Sequence, residues 1–239
     1  MPRIRIHAAA AALVVALAGA AAPAAAQTEF ILRIHNVSAE DSWTLQDGSK
    51  TAPWLSWGAY AVGSGPNPIF TPGQPAPGNG LEDVAEDGVI DKMVDWLSGQ
   101  RGLSASGKLT ARPVEGHATI YPGGLTRAVF TARPGDRLFF AVMLEQSNDA
   151  FYGPGPEGIA LFDAGGNPVS SDVTGQVMLW DAGTEVNQSP GLGPDTGVTE
   201  KQPNQGPTEN GVVRLLSEVN DGFDYPPVAA AIKVEVSPR

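Results

Sequence analysis

Arg137-Leu-Phe-Phe-Ala-Val-Met-Leu144 runs without a break into Glu145-Gln-Ser-Asn-Asp-Ala-Phe-Tyr-Gly153, and further on Gln176-Val-Met-Leu-Trp180 runs into Asp181-Ala-Gly-Thr-Glu185. Each is an apolar run of strand length that ends in carboxylates and turn formers. In an antiparallel sandwich the loops gather at the two ends, so acids that follow different strands can meet there. Ca²⁺ takes about six to eight hard oxygens, which two or three carboxylates and some turn carbonyls supply without Cys or His. Asn148-Asp149 and Asp181-Ala-Gly are equally at home as side-chain-capped turns. Residue types alone leave both readings open.

Working outward, further strand-like runs occupy residues 118–121, 125–132, 158–162 and 228–236, the last with Ile232-Lys-Val-Glu-Val236 alternation. Glu29-Phe-Ile-Leu-Arg-Ile-His35 alternates apolar Phe30, Leu32 and Ile34 with its other residues, as a first strand does. Pro134-Gly135 between two runs signals a hairpin turn. Residues 36–80 carry Trp43, Trp54, Trp57 and Phe70 among repeated prolines, which predicts an ordered but irregular excursion packed on the sandwich. Two short helices are expected over residues 81–88 and 89–99, and a long surface loop over 187–211. No internal repeat or linker divides the chain. The expected fold class is all-β, an antiparallel β-sandwich with short helices and long Pro/Gly-rich loops, in a single domain over residues 27–239.

Residues 1–26 read as a signal peptide: Arg3 and Arg5, an apolar run from Ala8 to Ala22, and Ala24-Ala-Ala26 before Gln27. Export into the periplasm or medium is therefore expected, with cleavage near Ala26-Gln27 and no membrane insertion. The chain contains no cysteine, so disulfides and thiolate chemistry are excluded and stability must come from a core or a bound metal. Without the two arginines of residues 1–26 the formal net charge moves from −11 to −13. Such a surface repels nucleic acid and suits cations or plain solubility.

Familiar catalytic patterns are missing. Past the leader only His35 and His117 could serve as general bases, there is no G-x-S-x-G elbow, and no H-E-x-x-H zinc motif. Gly102-Leu-Ser-Ala-Ser-Gly-Lys108 approaches a P-loop, but Leu109 stands where Ser or Thr must bind magnesium, and the stretch reads as a glycine-rich turn. Glu82, Asp83, Glu86, Asp87 and Asp91 resemble an EF-hand only superficially, with Ala85 and Val94 at ligand positions, and read as a solvated helix face.

Ser147-x-Asp149-x-Phe151-x-Gly153 and Asp181-Ala-Gly-Thr-Glu185, in this order, resemble the spondin N-terminal domain family. Leu81-Glu-Asp-Val-Ala-Glu-Asp-Gly88, Trp180-Asp-Ala-Gly-Thr-Glu185 and Glu209-Asn-Gly-Val-Val-Arg214 are similar to its bacterial exported branch. The resemblance implies a C2-like sandwich holding one calcium ion at the loops of one end. It makes Asp149, Asp181 and Glu185 the favoured ligands, with Glu145 and Asp163 as further candidates near the same strand ends. Ala150 and Glu185 depart from the animal pattern, which has an aromatic and an Asp there. The function it implies is a non-enzymatic, monomeric binding or adhesion-type module for an extracellular or cell-surface protein or glycan. Two alternatives from other classes are a hydrolase of extracellular polymers using the acidic loops, and a structural periplasmic protein without a ligand.

Overall fold

A computed structural model describes residues 27–110 and 119–239. The leader reading of residues 1–26, His117 and the start of the run at 118 lie outside the described residues. In chain order the elements are β1 (Thr28–Asn36), β2 (Trp43–Thr44), β3 (Lys50–Thr51), β4 (Leu55–Gly63), α1 (Leu81–Asp87), α2 (Asp91–Ser98), β5 (Leu103–Leu109), β6 (Leu125–Ala132) and β7 (Arg137–Leu144). They continue with β8 (Ala150–Pro154), β9 (Ile159–Ala160), β10 (Ser171–Asp172), β11 (Val177–Asp181), β12 (Arg214–Leu215), α3 (Val228–Ala231) and β13 (Ile232–Pro238). The fold is all-β with antiparallel pairing, as the sequence predicts. Among the described residues no helix is long and apolar enough to cross a membrane.

Two sheets make the sandwich. The smaller has the order β10-β13-β1-β6, and the larger the order β12-β11-β8-β7-β4-β5, with β9 also on β7. The alternation in β1 settles its orientation, since Phe30, Leu32 and Ile34 are fully buried while Ile31, Arg33 and His35 face outward. Phe30 stacks on Phe130 at 6.0 Å and meets Phe162 edge-on at 5.4 Å. Across the sandwich Phe130 reaches Tyr60 of the larger sheet at 5.4 Å.

A third layer covers the far side of the larger sheet. Leu81, Val84 and Ala85 of α1 and Met93 and Leu97 of α2 pack with Ile69 and Phe70 against Ala59, Ala61, Phe139 and Phe151. The proline-rich segment therefore does lie down on the sheet, as expected. With both faces covered, β7 is apolar nearly throughout instead of alternating.

Several expectations need correction. Residues 36–80 are not wholly irregular, because β4 runs through them as a central strand between β7 and β5. Its small Ala59 and Ala61 face the helices while Tyr60 and Val62 face the sandwich, so the hydrophobic pattern does not alternate, and the flanking Pro53 and Pro66 lie outside the strand. The glycine-rich stretch at 102–108 is the edge strand β5, where Gly107 lies against the Tyr60 ring. Pro134-Gly135 does form a turn, with Asp136 N–H bonded to Arg133 O and Gly135 at φ 94, but β6 and β7 belong to different sheets. It is a crossover, not a hairpin. The run at 158–162 shrinks to the two residues of β9, and the run at 228–236 begins as the short helix α3.

Truncating Phe30 tests the depth of this core. Phe30→Ala should lower unfolding free energy by about 3–5 kcal/mol in urea titration, whereas a loss below about 1 kcal/mol is the range of surface changes and would show that the inter-sheet packing is misassigned.

Candidate metal centre

Strand pairing builds the acidic site. Asp181 at the end of β11 stands opposite Ala150 at the start of β8, and the next rung is Ala182 N–H donating to Asp149 O at 3.1 Å. Two carboxylates distant in sequence are thereby side by side. Gly183 then turns the chain at φ 68, where a Cβ would also collide with Val212 N at 2.6 Å, so only glycine fits. The turn aims the N–H groups of Thr184 and Glu185 at Asp149 Oδ2, at 2.8 and 3.2 Å.

The third carboxylate arrives from the far end of the long loop. Glu209 N–H donates to Thr184 O and Gly211 N–H to Gly183 O, which clamps this segment to the Asp181-Ala-Gly-Thr-Glu185 turn. Asp149, Asp181 and Glu209 each bring a carboxylate oxygen within 4.8 Å of the others, the one such metal-compatible group among the described residues. Asp149 and Asp181 are both 0% exposed. Arg214, opposite Asp181 in the pairing with β12, places Nη2 2.6 Å from Glu209 Oε1 and 3.6 Å from Asp181 Oδ2.

One guanidinium against three carboxylates leaves excess negative charge. Asp149 Oδ1 and Asp181 Oδ1 are both buried and have no hydrogen-bond partner. Burial first, and then the charge of Asp181, pushes the Asp149 carboxyl well above the usual range, against the two N–H groups that favour its ionised form. Burial raises Asp181 as well, opposed by Arg214 and by Asn187, whose Nδ2 donates to Asp181 Oδ2 at 3.0 Å. Bare, hard oxygens of this kind fit a hard cation. This buried acidic group could hold a metal ion.

The five candidate residues from the sequence divide. Asp149 and Asp181 come together as expected. Glu185 contributes its N–H to Asp149, while its own carboxylate accepts from Gly206 N–H at 2.8 Å and from Asn148 Nδ2 at 3.3 Å, outside the triad. Glu145 stands apart beside Gly88, its carboxyl pushed up to about 7 by burial and partly restored by Thr119. Asp163 is exposed and caps its own turn, accepting from the N–H groups of Gly165 and Asn167 at 2.8 Å each. Glu209 was not among the candidates, although it opens the Glu209-Asn-Gly-Val-Val-Arg214 segment. The signal was its place three residues before a strand-like Val-Val-Arg, a spacing without meaning until β12 is paired to β11.

The acidic face of residues 82–91 also differs from expectation. Glu86 turns inward, 3% exposed, and burial pushes its carboxyl up to about 8, with the charges of Glu185, Glu82 and Asp149 adding and Thr184 opposing. No family model matches the chain, and no curated protein is found to match it.

These raised carboxyls set the sign of the pH response. A carboxyl that holds its proton more tightly when folded contributes stability that is complete below its unfolded value and is lost as pH rises through the folded one. With Glu145 at about 7 and Glu86 at about 8, and Asp149 shifted the same way, the protein in EDTA should melt at a higher temperature near pH 5 than near pH 8. An increase over that interval would contradict the burial of these acids.

Proposed function

We propose that the chain is an exported, spondin-type binding module in which the buried Asp149 and Asp181 and the half-buried Glu209 hold calcium. The observation that carries this reading is the pair of buried carboxylate oxygens without partners, Asp149 Oδ1 and Asp181 Oδ1. Leaving such groups uncompensated is costly, and a divalent cation between them removes both the desolvation cost and the mutual repulsion. Calcium is favoured over zinc because every donor is oxygen and the triad includes no His or Cys. Main-chain carbonyls and water would complete the shell, and the ion would take over from Arg214 as the main counter-charge.

The spondin resemblance of Asp149 and Asp181 supports the same reading, with Glu209 in place of Glu185 as the third carboxylate. The cation would fix the turn at 181–185 and the segment at 209–214, and so set the loop surface offered to a protein or glycan partner. Full burial of Asp149 and Asp181 speaks against a hydrolase using them, since a sugar polymer needs an open cleft between its two carboxyls.

Thermal melts with calcium and with EDTA test the proposal. Calcium at about 100 times its dissociation constant should stabilise the fold by about 2.7 kcal/mol, which for a chain of this size is about 5–10 °C. Elemental analysis should find calcium in protein purified without chelator. Asp149→Asn keeps the shape of the protonated carboxyl but cannot ionise, so in EDTA it should melt at or above the unaltered protein yet lose the calcium response. An unchanged melt in calcium, with no bound metal, would sink the reading.

A further inference from the structure

Beside β11 several apolar side chains stay partly exposed together. Val219, Phe223, Tyr225 and Val228 are half-buried and Met178 is 37% exposed, and all five line one cleft of about 520 Å³. Leu179 and Leu216, both buried, form its floor. Single exposed apolar residues are ordinary, but a continuous set around a hollow marks a contact site. A mostly apolar concavity of this volume is the size that takes a small organic ligand.

One wall of the cleft is fixed before any ligand arrives. Residues 221–227 read Asp-Gly-Phe-Asp-Tyr-Pro-Pro. Asp221 Oδ1 accepts from Phe223 N–H at 2.9 Å, and its Oδ2 accepts from the Tyr225 hydroxyl at 2.9 Å and from Asn187 Nδ2 at 3.0 Å. Trp43 Nε1 donates to Asp224 O at 3.2 Å, and Pro226-Pro227 restrict the backbone leading into α3. A wall held in this way loses little freedom when a ligand binds.

The free charge around the cleft is negative. Asp224 lines it, and the adjoining hollow of about 460 Å³, which shares Val219 and Phe223 with it, carries Glu218 and Asp221. Arg214 is the one cation lining either hollow, and it is already paired with Asp181 and Glu209. Tyr225 keeps its proton, its hydroxyl raised by burial and by the Asp221 carboxylate, so its ring stays a neutral aromatic face. A cation beside such a ring is attracted by the ring quadrupole as well as by the acids.

We propose that this cleft binds an organic ammonium ion, its apolar body on Leu179, Leu216 and Val219 and its charged head beside Asp224 and the rings of Phe223 and Tyr225. The apolar floor selects the body, and the acidic, aromatic rim selects a positive head over a neutral or negative one. The inference goes beyond the binding-module reading and does not depend on the calcium ion, because side chains outside the acidic triad make the whole site.

Isothermal titration calorimetry of the whole chain with 4-phenylbutylammonium, 4-phenylbutanol and 4-phenylbutyrate tests it. The ammonium should bind saturably at one site, the alcohol about tenfold more weakly, and the carboxylate more weakly again. Asp224→Asn should weaken the ammonium about fivefold and leave the alcohol unchanged, while Met178→Lys, which sets a like charge at the cleft, should weaken the ammonium about tenfold. Both are surface changes and should leave the melting temperature unaltered. Absence of saturable ammonium binding, or carboxylate binding of equal strength, overturns the proposal, and so does ammonium binding that either variant leaves unchanged. Sedimentation velocity should show a monomer; a dimer that Met178→Lys dissociates would put a second copy of the chain in the cleft and overturn the amine assignment.

Discussion

The antiparallel register of β8 with β11 governs the whole acidic end of the sandwich. Asp181 opposite Ala150, followed by the bond from Ala182 to Asp149, brings two acids into contact that neither strand would place there alone. Moving that register by one residue would exchange the two faces of β11 and turn Leu179 and Trp180 over. Trp180, packed with Phe70 at 4.9 Å under the helical layer, and Leu179, in the inter-sheet core, oppose any such slip. The hydrophobic core therefore fixes the position of the carboxylates. The polar site is held by apolar packing.

Holding acids together in a buried place conflicts with their own electrostatics. Asp149 receives two backbone N–H groups on one oxygen and nothing on the other, while Asp181 is shared by Asn187 and, at longer range, Arg214. Asn187 hands the network on to Asp221, which also accepts from Tyr225. The turn at Gly183 is the hinge of this arrangement, since it must present N–H groups to Asp149 and pass close to Val212. Proteins tolerate such unsatisfied sites where a ligand or an ion completes them.

Much of the fold was legible in the sequence, and the exceptions share a cause. β1, β6 and β7 have the lengths and patterns expected, because β1 and β6 alternate and β7 is an unbroken apolar run. β4 is not legible in the sequence because a strand with alanines on one face and Tyr60 and Val62 on the other looks neither alternating nor strongly apolar. β12 could not be found at all, being two residues defined by their partner. At the site, Asp149 and Asp181 could be named from the strand ends that carry them. Glu209 could not, since its approach depends on bonds from Glu209 to Thr184 and Gly211 to Gly183 that close a long irregular loop. Glu86 turns inward although its spacing places it on the acidic helix face, because helical spacing reports which face a residue occupies, not what a distant loop lays over that face.

The smaller sheet places β1 between β6 and β13, so the first strand is completed only by the last. Phe30 pairs with Pro238, and Arg239 Nη1 donates to Glu29 at 2.6 Å. Contacts that span nearly the full chain carry the greatest loop-closure cost and form late. Until β13 joins it, β1 keeps one open edge and the smaller sheet of the sandwich stays incomplete.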